Sequence, residues 1–222
     1  MLVRKADLKA GQDVLDIGCG CGDSTAVLAD FQPRSLQGIT SEQSQCSMAK
    51  RRFRRIDFLC ADAVEHVAGL TDQSVDRIIA LDCMYHFYTR FSFLRDASRV
   101  LRDNGRMTAT DLLLGDKLTI FERLLMRLIC FLTVSPFCNF MTAREYAENL
   151  SQAGFEQLEI EDISRHVFPG LSEFIILHKR ELGIYGISGK WIGYLVFARV
   201  LRWWWTSKAV KFVIVNAQRS SM

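Results

Sequence analysis

The sequence predicts an α/β fold built on a doubly wound, mainly parallel sheet, and three observations favour it. Short apolar runs alternate with longer segments whose apolar residues recur at helical spacing, an order typical of parallel sheets with helices on both faces. One apolar run, at 13–17, leads into three alternating glycines and then into a helical pattern at 23–31. Of the 222 residues, 49% are hydrophobic, which is enough to bury a full core. We therefore predict a single domain over residues 1–222.

Strands and helices are expected in regular alternation along the first half of the chain. The expected strands lie at 13–17, 36–39, 56–60 and 75–81, and the expected helices at 24–30, 41–53 and 91–102. Ser41 is the expected N-cap of the second helix, because its hydroxyl can accept an N–H of the first turn. The turn signal Asp103-Asn104-Gly105 is expected to end the third helix.

The alternation breaks after a fifth strand, which is expected at 106–114. Two long segments of helical, mostly apolar character follow, at about 115–141 and 168–207, and neither carries an obvious strand of its own. We expect these segments to form a helical cap beside the edge of the sheet at which ligands bind. The remaining expected elements are a helix at 142–153, a sixth strand at 155–163 and a last strand at 211–217.

Composition argues against several classes of function. A net charge of +3 is too small to indicate a nucleic-acid partner. Neither cap segment reaches the roughly 20 uninterrupted apolar residues of a membrane-spanning helix. The seven cysteines form no Cys-x-x-Cys pair and join no histidine cluster, so we expect no metal site and a reducing, cytoplasmic environment.

The most informative segment is the glycine turn at 18–22, Gly-Cys-Gly-Cys-Gly, which follows Asp16 at the end of the first apolar run. Glycines are needed where the backbone turns sharply and a ligand approaches it without meeting a Cβ. A dinucleotide fingerprint requires Gly-x-Gly-x-x-Gly, but the residue at the third glycine position is Asp23. The spacing therefore disfavours a nicotinamide oxidoreductase.

Polar side chains follow each of the first five predicted strands. Because open α/β sheets bind ligands at the carboxyl ends of their strands, these side chains are the candidates for a site. In strand order they are Asp16, Thr40, Asp62, Asp82 with His86 close behind it, and Asp111. An acid such as Asp62 can accept a hydrogen bond from an adenine amino group, and the Ala63 N–H can meet a ring nitrogen.

The glycine turn resembles motif I of the class I S-adenosylmethionine-dependent methyltransferases. Residues 38–45, Gly-Ile-Thr-Ser-Glu-Gln-Ser-Gln, are similar to the Gly-Ile-Thr-x-x-x-x-Gln signature of a small-molecule subgroup that includes tocopherol, alkaloid N- and natural-product O-methyltransferases. The likeness continues through 70–76, 82–87 and 98–105, and it covers 13–114 well. It implies a Rossmann-like, mainly parallel sheet of seven strands with an antiparallel last strand, and S-adenosylmethionine as the cofactor.

The resemblance also implies roles for the candidate residues. The residues implied to bind the cofactor are Asp16, Gly18, Cys19, Gly20, Thr40, Gln45, Asp62, Ala63 and Asp82. Asp16 would hold the glycine turn or reach the methionine part through water. Gln45 is the implied ribose contact, because Thr40 stands where most class I enzymes carry an acid. His86 is the implied base for an acceptor hydroxyl, with Asp111 assisting it; the alternatives are a histidine packed in a loop and an aspartate that caps the next helix.

Together these features predict metal-independent methyl transfer from S-adenosylmethionine to a hydroxyl or amine of a small apolar metabolite by in-line displacement. The alternative is a non-catalytic, membrane-associated module that binds the cofactor or a partner. Trp203-Trp204-Trp205 lies in a basic C-terminal region, and this combination suits peripheral contact with an anionic membrane. The same tryptophans could instead belong to a lid helix, where they line an apolar pocket or pack on the sheet.

Overall fold

Seven strands form one sheet in the computed structural model, which describes residues 2–178 and 191–220. The strands are β1 (Asp13–Ile17), β2 (Ser35–Thr40), β3 (Asp57–Cys60), β4 (Val75–Ala80), β5 (Leu101–Leu114), β6 (Phe155–Asp162) and β7 (Val210–Arg219). Their order across the sheet is β3-β2-β1-β4-β5-β7-β6. β1 to β5 run parallel, whereas β7 is antiparallel to both of its neighbours, β5 and β6. The predicted mainly parallel, Rossmann-like sheet with an antiparallel last strand is confirmed.

Helices alternate with the parallel strands and then form a cap. The helices are α1 (Leu2–Lys5), α2 (Asp23–Ala29), α3 (Gln43–Arg52), α4 (Ala63–Gly69), α5 (Arg90–Val100), α6 (Ile120–Leu132), α7 (Ala143–Gln152), α8 (Ser164–Leu177) and α9 (Trp191–Ser207), with 3-10 turns at Met84–His86 and Phe137–Asn139. The sequence pattern missed α1 and α4, which have four and seven residues. Such short helices display little of a helical period, and α2, also of seven residues, was predicted because it follows the glycine turn. In the described part of the chain, no helix combines the length and the apolar character needed to cross a bilayer.

Two predicted helix boundaries are wrong. α3 begins after Glu42, whose side chain accepts a hydrogen bond from the Ser44 N–H, so Ser41 is not the N-cap. α5 ends at Val100 and passes directly into β5. The expected turn at 103–105 therefore lies inside β5, next to a shift in the register between β4 and β5, and Asn104 there adopts a left-handed φ of 62°. Turn-forming residues thus mark an irregular strand start instead of a helix end.

The predicted helical cap is formed by α6, α8 and α9. α6 lies within the first expected segment, about 115–141. α8 begins at Ser164, earlier than the second expected segment of 168–207, and positions 179–190 of that segment lie outside the described residues.

A second apolar core lies beneath this cap, beside the far end of β5 and β7. The Phe168 ring lies 5.7 Å from the Trp204 ring and 6.2 Å from the Phe212 ring, between centroids. The Ser172 hydroxyl of α8 donates to the Ala198 carbonyl of α9 at 3.0 Å. These contacts fix α8 and α9 against each other and against β7.

The parallel register brings the carboxyl ends of β1 to β4 to one level. Ile17 pairs with Ile39 of β2 and with Ala80 of β4, while Thr40 pairs with Cys60 of β3. Ile17, Ile39 and Ala80 have no exposed surface, so the strand ends are anchored in the core. The loops that follow these strands therefore open at the same edge of the sheet.

Candidate active site

A cleft of ≈ 660 Å³ opens at this edge of the sheet. Most of the predicted site residues line it: Gly18, Gly20, Thr40, Gln45, Asp62, Ala63, Asp82 and His86. The remaining predicted residues, Asp16, Cys19 and Asp111, lie beneath its surface and are described in turn below.

The glycine turn forms the floor of the cleft for two different steric reasons. Gly18 and Gly20 both adopt left-handed backbone conformations, with φ of 72° and 56°. A Cβ on Gly18 would lie 2.6 Å from the Cβ of Cys83, so glycine is required there for packing. A Cβ on Gly20 would meet no atom within 4 Å and would project into open space. Gly20 thus leaves room for a ligand to approach the backbone.

Asp16 lies directly under this turn and has no exposed surface. Its Oδ2 accepts hydrogen bonds from the hydroxyls of Ser24 at 2.9 Å and Thr25 at 2.7 Å, which fastens the turn to the start of α2. Its Oδ1 has no hydrogen-bond partner in the described structure. Burial raises the pKa of Asp16 to about 6, against the opposing effect of the two hydroxyls. A buried acceptor without a partner suits a ligand that brings a donor.

Cys19 shapes the turn with its backbone and turns its side chain away from the cleft. Its N–H donates to the Ile39 carbonyl at 2.9 Å, and its own carbonyl accepts from the Gly22 N–H at 3.0 Å. The side chain belongs to a small buried cluster with Cys46 and Phe58. The predicted cofactor contact of Cys19 therefore does not arise from its side chain, which is packed beneath the turn.

The far wall of the cleft carries a hydroxyl, an amide and a carboxylate. Thr40 donates its hydroxyl hydrogen to Gln45 Oε1 at 2.9 Å, and the Gln45 amide nitrogen has no partner among residues 2–178 and 191–220. Asp62 uses Oδ1 to accept the N–H groups of Val64 at 2.8 Å and Glu65 at 3.1 Å, because it is the N-cap of α4. Its second oxygen makes no hydrogen bond within the described structure. Donors and acceptors for a polar ligand thus remain available on this wall.

The opposite wall is formed by Asp82 and His86, which come before and after Tyr85 in the sequence. Asp82 adopts a left-handed φ of 56°, which aspartate tolerates better than most residues, and its N–H donates to the Thr110 hydroxyl at 2.9 Å. Burial raises the pKa of Asp82, although its Oδ1 accepts a hydrogen bond from the Tyr85 hydroxyl at 3.0 Å, which has the opposite effect. Partial burial lowers the pKa of His86, and the charges of Asp82 and Asp111 oppose this effect only in part. The imidazole is therefore neutral at pH 7.

A second cavity of ≈ 590 Å³ lies between this wall and the cap. Its lining is mostly apolar and includes Leu112, Ile129, Phe140, Phe168, Val200, Trp204 and Phe212. Asp82 and His86 line both this cavity and the cleft. Two polar side chains therefore stand where a polar binding site meets an apolar one.

The structure does not bring Asp111 into either cavity. Asp111 has no exposed surface, and its Oδ2 contacts the Arg90 guanidinium at 3.0 Å and the Tyr146 hydroxyl at 2.9 Å. Its Oδ1 accepts from the Leu112 N–H at 2.9 Å. No hydrogen bond joins it to His86 within the described ranges. Asp111 therefore does not contact His86, because its carboxylate is held in a buried ion pair, and its effect on the imidazole is limited to its charge, which raises the pKa of His86.

The polar contact to His86 comes instead from a residue that the sequence analysis did not single out. The Oγ of Ser135, in the loop after α6, lies 3.1 Å from His86 Nδ1. Tyr85 was also overlooked, although it stands next to His86 in the sequence.

Two alternatives were expected for the tryptophan run: contact with a membrane, or a place in a lid helix that lines an apolar pocket. Trp204 follows the second, because it is 5% exposed and lines the apolar cavity.

Comparisons with known proteins agree with this architecture. A family profile described as "Methyltransferase domain" matches residues 14–105. Methyltransferase GfsG of Streptomyces halstedii is 32% identical over 180 residues, which cover 76% of this chain and 61% of the relative. O-methyltransferase resE of Aspergillus sclerotiorum is 30% identical over 187 residues, which cover 82% of this chain and 67% of the relative. The chain thus spans only part of the length of the curated relatives it matches.

Solved structures extend the likeness to the whole described fold. A phosphoethanolamine N-methyltransferase of Haemonchus contortus, solved with phosphomonomethylethanolamine and S-adenosylhomocysteine, matches with a TM-score of 0.85. The match covers 99% of this chain and 51% of that one at 18% identity, and at that identity it speaks for the fold alone. Sheet order, glycine turn and sequence relatives agree: the chain belongs to the class I S-adenosylmethionine-dependent methyltransferases.

Proposed function

We propose that this chain transfers a methyl group from S-adenosylmethionine to a hydroxyl or amine of a small apolar molecule. The observation that carries the proposal is the pair Asp82 and His86, which line both the cofactor-type cleft and the apolar cavity. A cofactor in the cleft and an acceptor in the cavity would meet at these two residues. When bound, S-adenosylmethionine supplies an electrophilic methyl group on a sulfonium centre.

The residues of the cleft fit this cofactor. The unpartnered Asp16 Oδ1 would accept from the amino group of its methionine part, directly or through water. The open space at Gly20 would admit the cofactor against the backbone. The Gln45 amide would donate to the ribose hydroxyls, and the second oxygen of Asp62 would accept from the adenine amino group. Each of these contacts uses a donor or acceptor that the protein leaves available.

His86 would act as the base toward an acceptor hydroxyl. Its neutral imidazole would take the hydroxyl proton as the acceptor oxygen bonds to the methyl carbon and the methyl–sulfur bond breaks, which would leave S-adenosylhomocysteine. The walls of the cavity would hold the acceptor in line with the methyl group and exclude water, and alignment alone contributes about 7–11 kcal/mol in well-oriented reactions. The relative resE, which is named an O-methyltransferase, favours oxygen over nitrogen as the atom methylated.

The second cavity favours an apolar acceptor. Its volume of ≈ 590 Å³ is ordinary for a small-molecule site. Apart from Asp82 and His86, the side chains with polar atoms that line it in the described part of the chain are Tyr85, Thr133, Ser135 and Trp204, whose indole nitrogen has no partner there. A charged or polyhydroxylated acceptor would lose its hydration there and find few partners.

The absence of a nucleic-acid partner stays a prediction, which rests on the small net charge of +3.

Titration calorimetry with S-adenosylhomocysteine tests the cofactor assignment. We expect Gly20→Val to abolish binding, because its side chain would fill the space at the glycine turn. Gly11→Val is the matched control: Gly11 also has a left-handed φ, of 80°, and open space around its Cβ position, but it lies outside the cleft. Retained affinity in Gly20→Val, or equal loss in both variants, would contradict the assignment.

Turnover then separates an enzyme from a binding module. The parent protein is incubated with S-adenosylmethionine and a panel of apolar alcohols, phenols and amines, and release of S-adenosylhomocysteine is measured. Product from at least one acceptor supports the proposal. Tight cofactor binding without product from any member of a broad panel would favour the non-catalytic alternative.

Peripheral membrane contact is a separate proposal, and α6 is a better candidate for it than the tryptophan run. Ile120, Phe121 and Phe131 on α6 are largely exposed, with Arg123 among them, whereas Trp204 is buried. Exposed apolar side chains beside basic ones suit an anionic bilayer surface. Sedimentation with phosphatidylglycerol vesicles should capture the parent protein and should capture Phe121→Ser less well. Equal sedimentation with neutral phosphatidylcholine vesicles would contradict an electrostatic contribution.

A further inference from the structure

We propose that Ser135 is a positioning residue that fixes the tautomer of His86, so that Nε2 is the basic nitrogen. The inference rests on the proposed role of His86 as base. Ser135 Oγ lies 3.1 Å from His86 Nδ1 and is the sole hydrogen-bond partner of that ring in the part of the chain that the structure describes. Ser135 is 8% exposed, so water competes little for this contact.

The direction of the bond decides whether His86 can act as a base. If the Ser135 hydroxyl donated to Nδ1, the proton of the neutral ring would sit on Nε2. If Ser135 instead accepts from the Nδ1–H, the lone pair is on Nε2. Both arrangements fit a distance of 3.1 Å, so the choice depends on what else Ser135 contacts.

The contacts of the Ser135 hydroxyl within its own loop favour the second arrangement. The Thr133 hydroxyl lies 2.9 Å from the Ile129 carbonyl, which can only accept, so Thr133 donates there. The oxygens of the Thr133 and Ser135 hydroxyls are 3.3 Å apart. Since the only hydrogen of the Thr133 hydroxyl is engaged, Thr133 is not the donor toward Ser135. The Ser135 hydroxyl then has two acceptors in its own loop, the Thr133 hydroxyl oxygen and the Thr133 carbonyl, the latter at 3.5 Å. With its own hydrogen directed into this loop, Ser135 accepts from the Nδ1–H of His86.

The backbone that presents Ser135 is independently unusual. α6 ends in a Schellman-type turn: the Ser135 N–H donates to the Cys130 carbonyl at 2.9 Å and the Val134 N–H to the Phe131 carbonyl at 3.4 Å. The residue in the left-handed position, usually glycine, is Val134, with φ of 53°. A β-branched residue is strained in this conformation and keeps it where its surroundings demand it. The Val134 side chain is 69% exposed, so its own packing does not explain the strain.

The cap thereby has a second task. Thr133 and Ser135 line the apolar cavity together with His86, so the loop after α6 both closes the acceptor site and orients the base. Because the Thr133 hydroxyl donates to a carbonyl of α6 itself, the tautomer of His86 depends on the position of α6. Displacing this helix would uncouple the base without touching the cofactor cleft.

The primary test is the tautomer itself, read from the ring ¹⁵N chemical shifts of His86 in labelled protein saturated with S-adenosylhomocysteine. We expect protonated Nδ1 and unprotonated Nε2 in the parent and in Ser135→Thr, which keeps a hydroxyl. In Ser135→Ala the ring should become a mixture of both tautomers. Ser172→Ala, which removes a buried hydroxyl elsewhere in the cap, is the matched control and should leave the signals unchanged. Identical signals in Ser135→Ala and the parent would overturn the inference.

Kinetics on an acceptor from the turnover panel provide the second readout. For Ser135→Ala we expect kcat to fall by about tenfold or more, within the roughly 10²–10⁴-fold contribution of general base catalysis, with unchanged affinity for S-adenosylhomocysteine. Ser135→Thr should recover most of the loss. A changed tautomer with unchanged kcat would overturn the positioning role. Full turnover in His86→Ala, by contrast, would contradict the base assignment of the proposed function, whereas the ¹⁵N result would still report on Ser135.

Discussion

Replacing Asp16 with asparagine tests whether the chain gives up stability to keep a carboxylate under the glycine turn. Asp16 has no exposed surface, its Oδ1 has no partner in the described structure, and burial raises its pKa to about 6. The ordinary value for aspartate is 3.8. The difference between these two pKa values corresponds to about 3 kcal/mol in free energy of unfolding, because one pKa unit is worth about 1.4 kcal/mol at 25 °C.

The sign of the effect follows from proton binding. Below pH 3.8 the carboxyl group is protonated in both the folded and the unfolded chain. As the pH rises toward about 6, the unfolded chain loses this proton first, so the folded chain binds more protons and its stability falls. Above about pH 6 the folded chain bears the full free-energy cost of burying the ionised carboxylate. Asparagine stays neutral throughout, so Asp16→Asn should gain up to about 3 kcal/mol in free energy of unfolding relative to the parent between about pH 4 and pH 7.

Urea unfolding at closely spaced pH values, followed by tryptophan fluorescence, measures this difference. Any fixed cost of packing the amide is the same at every pH, so the pH-dependent part isolates the carboxyl group. Asp62→Asn, at an exposed acid that follows β3, controls for general charge effects. A difference between Asp16→Asn and the parent that does not vary with pH would refute the reasoning, because Asp16 would then ionise like an ordinary aspartate.

The remaining predictions separate chemistry from structure and cofactor binding from stability. Asp16→Asn should weaken S-adenosylhomocysteine binding by about 1–3 kcal/mol in calorimetry, and an unchanged affinity would remove Asp16 from the cofactor site. His86→Gln should lower kcat by roughly 10²–10⁴-fold at unchanged affinity for S-adenosylhomocysteine; a parallel loss of affinity would indicate a structural role. Arg90→Met should lower the free energy of unfolding in urea by about 3–5 kcal/mol, since it leaves the Asp111 carboxylate buried and unpaired. Tyr146→Phe, which removes one hydroxyl from the same carboxylate, should cost about 1–3 kcal/mol, and a cost equal to that of Arg90→Met would contradict an ion pair at Asp111.

The cofactor cleft was predictable because its signals are local. A strand, an acid, alternating glycines and a helix follow one another within residues 13–29, and the parallel register then fixes where the other strand ends lie. Within the turn itself, the spacing of the residues did not predict which side chains face the cleft. Cys19 stands between two glycines that line the cleft, yet its side chain points to the core, and no property of the residue type announces that direction.

The acceptor side was harder to predict, because its contacts join distant parts of the chain. β5 is almost entirely buried from Met107 to Leu114, so no alternation of polar and apolar residues indicates which side chains face the site. The partners of Asp111 come from α5 and α7, and Ser135 reaches His86 from the far end of α6. Periodicity identified the cap as helical, but its docking on the sheet depends on tertiary packing.

The position of β7 has a consequence for biosynthesis. β7 separates β5 from β6 in the sheet, although both precede it in the sequence. On the ribosome, β6 therefore has no neighbour to join until Val210–Arg219 has emerged and inserted beside β5. Until that moment both strands offer open edges to other nascent chains, and such edges promote aggregation. We expect a transcript cut short before Val210 to yield insoluble protein, so translation must run through β7 before any useful molecule exists.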